Sequence, residues 1–125
     1  MQKIRQKWNL SLPARHVSTA SVNAVVLVEG PCSITGINVV TGATARWLRL
    51  YDLDRAPLPS DTPFYTTRTN ASLPLVSAIP NVYCENGLAI RITANGAPPT
   101  YNDSDDTAIT ANDVYLNVYY QLPIL

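Results

Sequence analysis

The chain has 125 residues, enough for one domain that buries about two thirds of its unfolded surface and too few for a second core. Apolar residues make up 46% and charged residues only 14%, against about a quarter in an average chain, so the surface is expected to be poor in charge, as surfaces covered by partners often are. The longest apolar stretch, Ala24 to Val28, falls far short of the roughly 20 residues a membrane-spanning helix needs, which excludes that class and makes a soluble protein the expectation.

Net charge is zero but unevenly divided. The first 21 residues hold Lys3, Arg5, Lys7 and Arg15 with no acid, while the remainder carries the excess of acidic groups. No apolar run follows MQKIRQKW, so no secretory signal is expected. Pro13 argues against a continuous helix, and no strand period stands out. Residues 1–21 therefore read as an extended basic arm whose charges alternate with the apolar anchors Ile4, Trp8, Leu10 and Leu12. Such a mixture cannot build a core alone but can lie across an acidic neighbour.

Residues 22–125 carry strand punctuation throughout. Expected strands are Val22–Val28, Ser33–Val40, Thr44–Leu53, Phe64–Arg68, a weaker Leu75–Cys84 containing Pro80, Leu88–Thr93 and Val114–Leu122. Turn residues separate them: Gly30-Pro31, Thr41-Gly42, Pro57 with Pro59, Asn86-Gly87 and Asn95-Gly96. No stretch sustains a 3.6-residue period. The fold class is therefore all-β, a single β-sandwich with jelly-roll or Greek-key connections and an extended N-terminal arm. Cys32 and Cys84 flank Trp47 but lack the remaining features of an immunoglobulin domain, and they read as free buried thiols.

Strand alternation assigns faces. Leu48, Leu50, Ile90, Leu116 and Val118 are expected in the core. Trp47, Arg49 and Tyr51, Arg91, and Tyr115 with Tyr119 then point outward, and a sheet exterior of Trp, Tyr and Arg has the composition of an oligomer interface. The run from Asn102 to Thr107 places Asp103, Asp105 and Asp106 in one loop, oxygen donors of the kind calcium takes. It lacks the EF-hand order, however, and reads first as a solvated turn. No cofactor is expected. His16 is the only histidine and falls in the arm, so a nucleophile-His-acid arrangement would need the arm to fold back; an enzyme is not expected.

Two segments carry a family likeness. ATARWLRLYDLDRAPLPSDTP, Ala43 to Pro63, combines an aromatic-Leu-basic-Leu-Tyr-Asp run with a Pro-rich "DTP" turn. GLAIRITANGAPPTYNDSDDTAITANDVYLNVYY, Gly87 to Tyr120, joins a "GLAI" strand, an acidic Asp-Asp-Thr loop and a closing aromatic strand. Together these resemble small virion β-sandwich proteins of tailed bacteriophages, over about residues 22 to 121. The resemblance implies a capsid decoration or cement protein on the virion surface, assembled in the host cytoplasm and commonly trimeric. Its partner would be the major capsid protein, with Lys3, Arg5, Lys7, Trp8, Leu10, Leu12 and Arg15 as docking arm and Trp47, Arg49, Tyr51, Tyr115 and Tyr119 as oligomer interface. The alternatives are a head-fibre or tail-tip receptor-binding component and a carbohydrate-binding module that stacks sugars on Trp47 and Tyr51. Nucleic acid is the weakest partner, because four basic residues give only a shallow electrostatic term and the body is acidic.

Overall fold

The structure is a computed structural model that describes residues 11–42, 44–69, 75–94 and 108–123, with residues 75–81 described by their backbone alone. Eight strands lie among them: β1 (Leu12–Val17), β2 (Val25–Glu29), β3 (Cys32–Thr41), β4 (Trp47–Tyr51), β5 (Tyr65–Arg68), β6 (Leu75–Cys84), β7 (Gly87–Thr93) and β8 (Val114–Gln121). They form two four-stranded antiparallel sheets, ordered β1-β8-β3-β6 and β2-β7-β4-β5, and the sheets pack as the expected β-sandwich. The described residues contain no helix.

Pairing is nested. β1 lies beside β8, β2 beside β7, β3 beside β6 and β4 beside β5, so the chain runs out along four strands and returns along the other four. The contacts of β8 with β3 and of β7 with β4 complete each sheet. This order is compatible with jelly-roll winding. β6 is an edge strand, the position where a proline such as Pro80 is tolerated because no inner ladder bond is lost.

The inner faces meet as the alternation requires. Leu48 and Leu50 of β4 stand opposite Ile92 and Ile90 of β7, and Leu116 and Val118 of β8 stand opposite Val39 and Ile37 of β3. All five residues expected in the core are at most 2% exposed. Each such side chain contributes about 1.5–3 kcal/mol through burial.

The two sheets share one corner. β2 leads into β3 through Gly30-Pro31, and β6 into β7 through Glu85-Asn86, each connection passing from one sheet to the other. The two connections run side by side, with Glu29 opposite Gly87, the Gly30 amide donating to the Asn86 carbonyl at 3.1 Å, and Cys32 opposite Cys84. The Asp52 carboxylate, just beyond β4, accepts from the backbone amides of Glu85, Asn86 and Gly87 at 3.2, 2.8 and 3.3 Å. Only glycine fits at position 87. Its φ is +153°, and a Cβ there would lie 2.7 Å from the Val28 carbonyl oxygen and 2.9 Å from that of Leu53.

The arm boundary expected at residue 21 is corrected. Leu12–Val17 form a ladder with β8 in which Ala14 and His16 stand opposite the inward Val118 and Leu116. The end of this strand is fastened to the start of β8 through Ser18. Its backbone amide donates to the Val114 carbonyl, its carbonyl accepts from Asn112, and its buried hydroxyl donates to the Thr110 carbonyl while accepting from the amides of Asp113 and Val114. Pro13 is compatible because β1 is an edge strand. Of the expected docking arm, Leu12 and Arg15 thus belong to the sandwich, while Lys3, Arg5, Lys7, Trp8 and Leu10 lie outside the described residues.

Candidate functional site

The outer faces of the two sheets differ. Over the β7 sheet, the connection between β4 and β5 folds back across the strands. The buried Arg91 side chain donates to the Pro57 carbonyl, and Pro57 is itself buried. The connection is clamped by Arg55, which meets both carboxylate oxygens of Asp61 at 2.7 and 2.8 Å, while the Leu58 amide donates to the same carboxylate at 2.7 Å. Hydrogen bonds from Arg55 first, and then from Leu58, hold the Asp61 carboxyl at about 2, below the ordinary carboxylate range.

Arg49 and Arg91 are register partners at 4% exposure each, and Tyr51 is 2% exposed. Arg49 donates to the Thr93 hydroxyl at 2.9 Å. The expected interface of Trp47, Arg49 and Tyr51 is therefore corrected: Trp47 is half-buried, and the other two lie inside the protomer. They also belong to a different sheet from Tyr115 and Tyr119, so the five residues do not form one surface. For Arg91, the connection that directly follows β4 returns over that face at Pro57.

Over the β8 sheet the outward row stays open. Val17, Tyr115 and Val40 are aligned across β1, β8 and β3 and are 45, 51 and 42% exposed. Arg15 and Asn38 flank Asn117 in the next outward row, and Pro13 stands opposite Tyr119 in the row beyond. A shallow hollow of about 290 Å³ is lined by Arg15, His16, Val17, Tyr115, Leu116 and Asn117. Of the residues expected at an interface, Tyr115 and Tyr119 share this face, with Tyr119 half-buried. Val17 and Val40 join it without having been singled out by the sequence. Their signal was the alternation of Val17 with His16 and of Val40 with Val39, hidden by the reading of residues 1–21 as an arm and by the apolar pair at 39–40.

His16 has a structural partner. Its Nε2 lies 2.8 Å from Asn23 Oδ1. The Asn23 amide is oriented by the Thr19 amide donating to Oδ1 and by Nδ2 donating to the carbonyls of Thr19 and Ser21, so His16 Nε2 must be the protonated nitrogen. Asn23 is 1% exposed with a φ of 51°, a left-handed conformation asparagine tolerates, and it organises the connection from β1 to β2. This contact gives His16 a role in tying β1 to that connection. Among the described residues, no three His, Cys, Asp or Glu side chains gather as a metal-ligand set; Asp103, Asp105 and Asp106 lie outside them.

Cys32 and Cys84 are free and fully buried at the shared corner. Hydrogen bonding with Cys84 holds the Cys32 thiol below its ordinary value, and the same contact together with burial pushes Cys84 up. Comparison with protein-family models, curated proteins and solved structures finds no match to this chain.

Proposed function

We propose that the chain is a structural virion protein of a tailed bacteriophage, a capsid decoration or cement protein that binds the major capsid protein. The assembly role rests on the uncovered row Val17, Tyr115 and Val40, an apolar and aromatic strip across three strands of one sheet face. The phage assignment rests on the sequence resemblance of Ala43–Pro63 and Gly87–Tyr120. The basic residues Lys3, Arg5 and Lys7 precede β1 in the chain, and β1 borders this face. In this proposal they steer docking, while Trp8, Leu10 and the Tyr115 row contribute most of the affinity. The protomers associate as a trimer on the capsid surface. A head-fibre or tail-tip position is the competing placement, and copy number separates the two. The carbohydrate-binding alternative loses one of its stacking platforms, because Tyr51 presents no ring face to solvent.

Mass spectrometry of purified virions with copy counting tests the placement: abundance on the scale of the capsid lattice supports it, and a handful of copies per particle refutes it in favour of the tail. Deleting residues 2–10 should abolish attachment to bare capsids while leaving the melting transition nearly unchanged, since this deletion stops short of β1. Equal capsid occupancy by truncated and full-length protein would remove the docking role.

A further inference from the structure

We propose that Cys32 and Cys84 are a preformed disulfide site, which a small-molecule disulfide such as oxidised glutathione converts into a covalent clip across the corner shared by the two sheets. The two residues are direct register partners in the antiparallel β3–β6 ladder, at the first position of β3 and the last of β6. Directly opposed residues in such a ladder have Cα atoms about 4.5–5.5 Å apart, inside the range a disulfide spans. Both side chains are 0% exposed, so they face each other within the packed interior. Side chains at directly opposed positions leave the same face of the ladder, so the two sulfurs can meet without a change of register.

The surroundings hold the pair in place. Around the corner the ladder continues from Ser33 opposite Tyr83, through Cys32 opposite Cys84 and the Gly30 to Asn86 hydrogen bond, to Glu29 opposite Gly87. Asp52 ties down the three amides that follow Cys84. A bond here joins the β2–β3 and β6–β7 segments where both change sheets and closes a loop of about fifty residues.

The chemistry balances as two thiol–disulfide exchanges. The thiolate of Cys32, the more readily ionised of the two, attacks one sulfur of the small disulfide, breaks its S–S bond and releases one thiol after proton uptake. The thiolate of Cys84 then attacks Cys32 Sγ in the mixed disulfide, forming the internal bond and releasing the second thiol. The protein loses two hydrogens and two electrons, and the small disulfide gains both. Complete burial makes the exchange wait on opening of the corner, so it proceeds readily during folding and slowly afterwards.

The test uses the full chain, reduced, unfolded in urea and refolded with excess oxidised glutathione. The expected product is free of interchain disulfides, lighter by two hydrogens, without free thiol under denaturing conditions, and yields a Cys32–Cys84 linked peptide on non-reducing mapping. Its Tm should exceed that of the reduced protein by on the order of 10 °C and return on adding dithiothreitol. Cys84→Ala should give only a glutathione adduct on Cys32 and no Tm gain. Retention of both thiols, two separate adducts, interchain dimers, or a linked form that melts below the reduced protein would each overturn the proposal.

Discussion

Replacing Ser18 by alanine should weaken the sandwich far more than the loss of one hydroxyl suggests. A serine hydroxyl has one hydrogen to donate and two lone pairs, and Ser18 uses all three, toward the Thr110 carbonyl at 2.9 Å and from the amides of Asp113 and Val114 at 2.9 and 3.0 Å. The alanine variant leaves two amides and one carbonyl without that partner. A buried group so orphaned costs about 1–3 kcal/mol. The Val114 bond is fully buried and takes the larger share, while the other two are half-buried and regain part through water. The sum is about 2–4 kcal/mol. Urea unfolding should show an unchanged m-value and a midpoint lowered by about 1–2 M, with faster hydrogen exchange at Asp113 and Val114. Ser11→Ala is the control, since the exposed Ser11 hydroxyl makes one long contact of 3.3 Å to Thr35 and should shift stability by less than about 0.5 kcal/mol. A Ser18→Ala midpoint indistinguishable from that control would show that residues 12–18 are not integrated with β8.

Leu50→Ala and Ile90→Ala, which empty opposed positions of the core, should each cost about 2–5 kcal/mol in denaturant unfolding. Gly87→Ala should fail to reach the native fold or lose about 3 kcal/mol or more, because its Cβ would meet two carbonyl oxygens within 3 Å; a melting curve checks this. Asp61 is held at about 2 when folded and titrates near 4 when unfolded, so the stability it contributes is complete above pH 4 and disappears as pH falls through 2. The stability difference between wild type and Asp61→Asn should therefore shrink from pH 5 to pH 2, and it stays small because the ion pair with Arg55 is solvent-screened. Tyr115→Ala should leave the Tm within a few degrees yet reduce self-association and capsid binding, read by light scattering and co-sedimentation.

What the sequence made legible follows from the range of each signal. VYLNVYYQ and GLAIRIT announce strands because a two-residue period needs no distant information, and the inward set Leu48, Leu50, Ile90, Leu116 and Val118 followed from it. The same period cannot say whether the opposite face meets solvent or another part of the chain. Arg49, Tyr51 and Arg91 were read as exterior but are buried, and Arg91 meets the Pro57 carbonyl of the connection that follows β4. β1 was hidden for a different reason. Its inward residues are Ala14 and His16, too small or too polar to mark a face, and Pro13 reads as a breaker until the strand is known to lie at an edge. Tyr115 and Tyr119 fell on the open face, but the alignment of Tyr115 with Val17 and Val40 depends on register, which no local pattern specifies.

The nested pairing also sets a timetable for synthesis. Among the eight described strands β1 leaves the ribosome first, yet its ladder partner is β8, the last of the eight to emerge. β2 must likewise wait for β7, so only the innermost pair, β4 with β5, can form early and locally. Folding is therefore dominated by distant contacts, with rates expected in the slow, millisecond-to-second class of all-β domains. A nascent chain stalled before residue 114 would present β1 and β3 without their shared neighbour, two unpaired edges ready to join another unfinished copy.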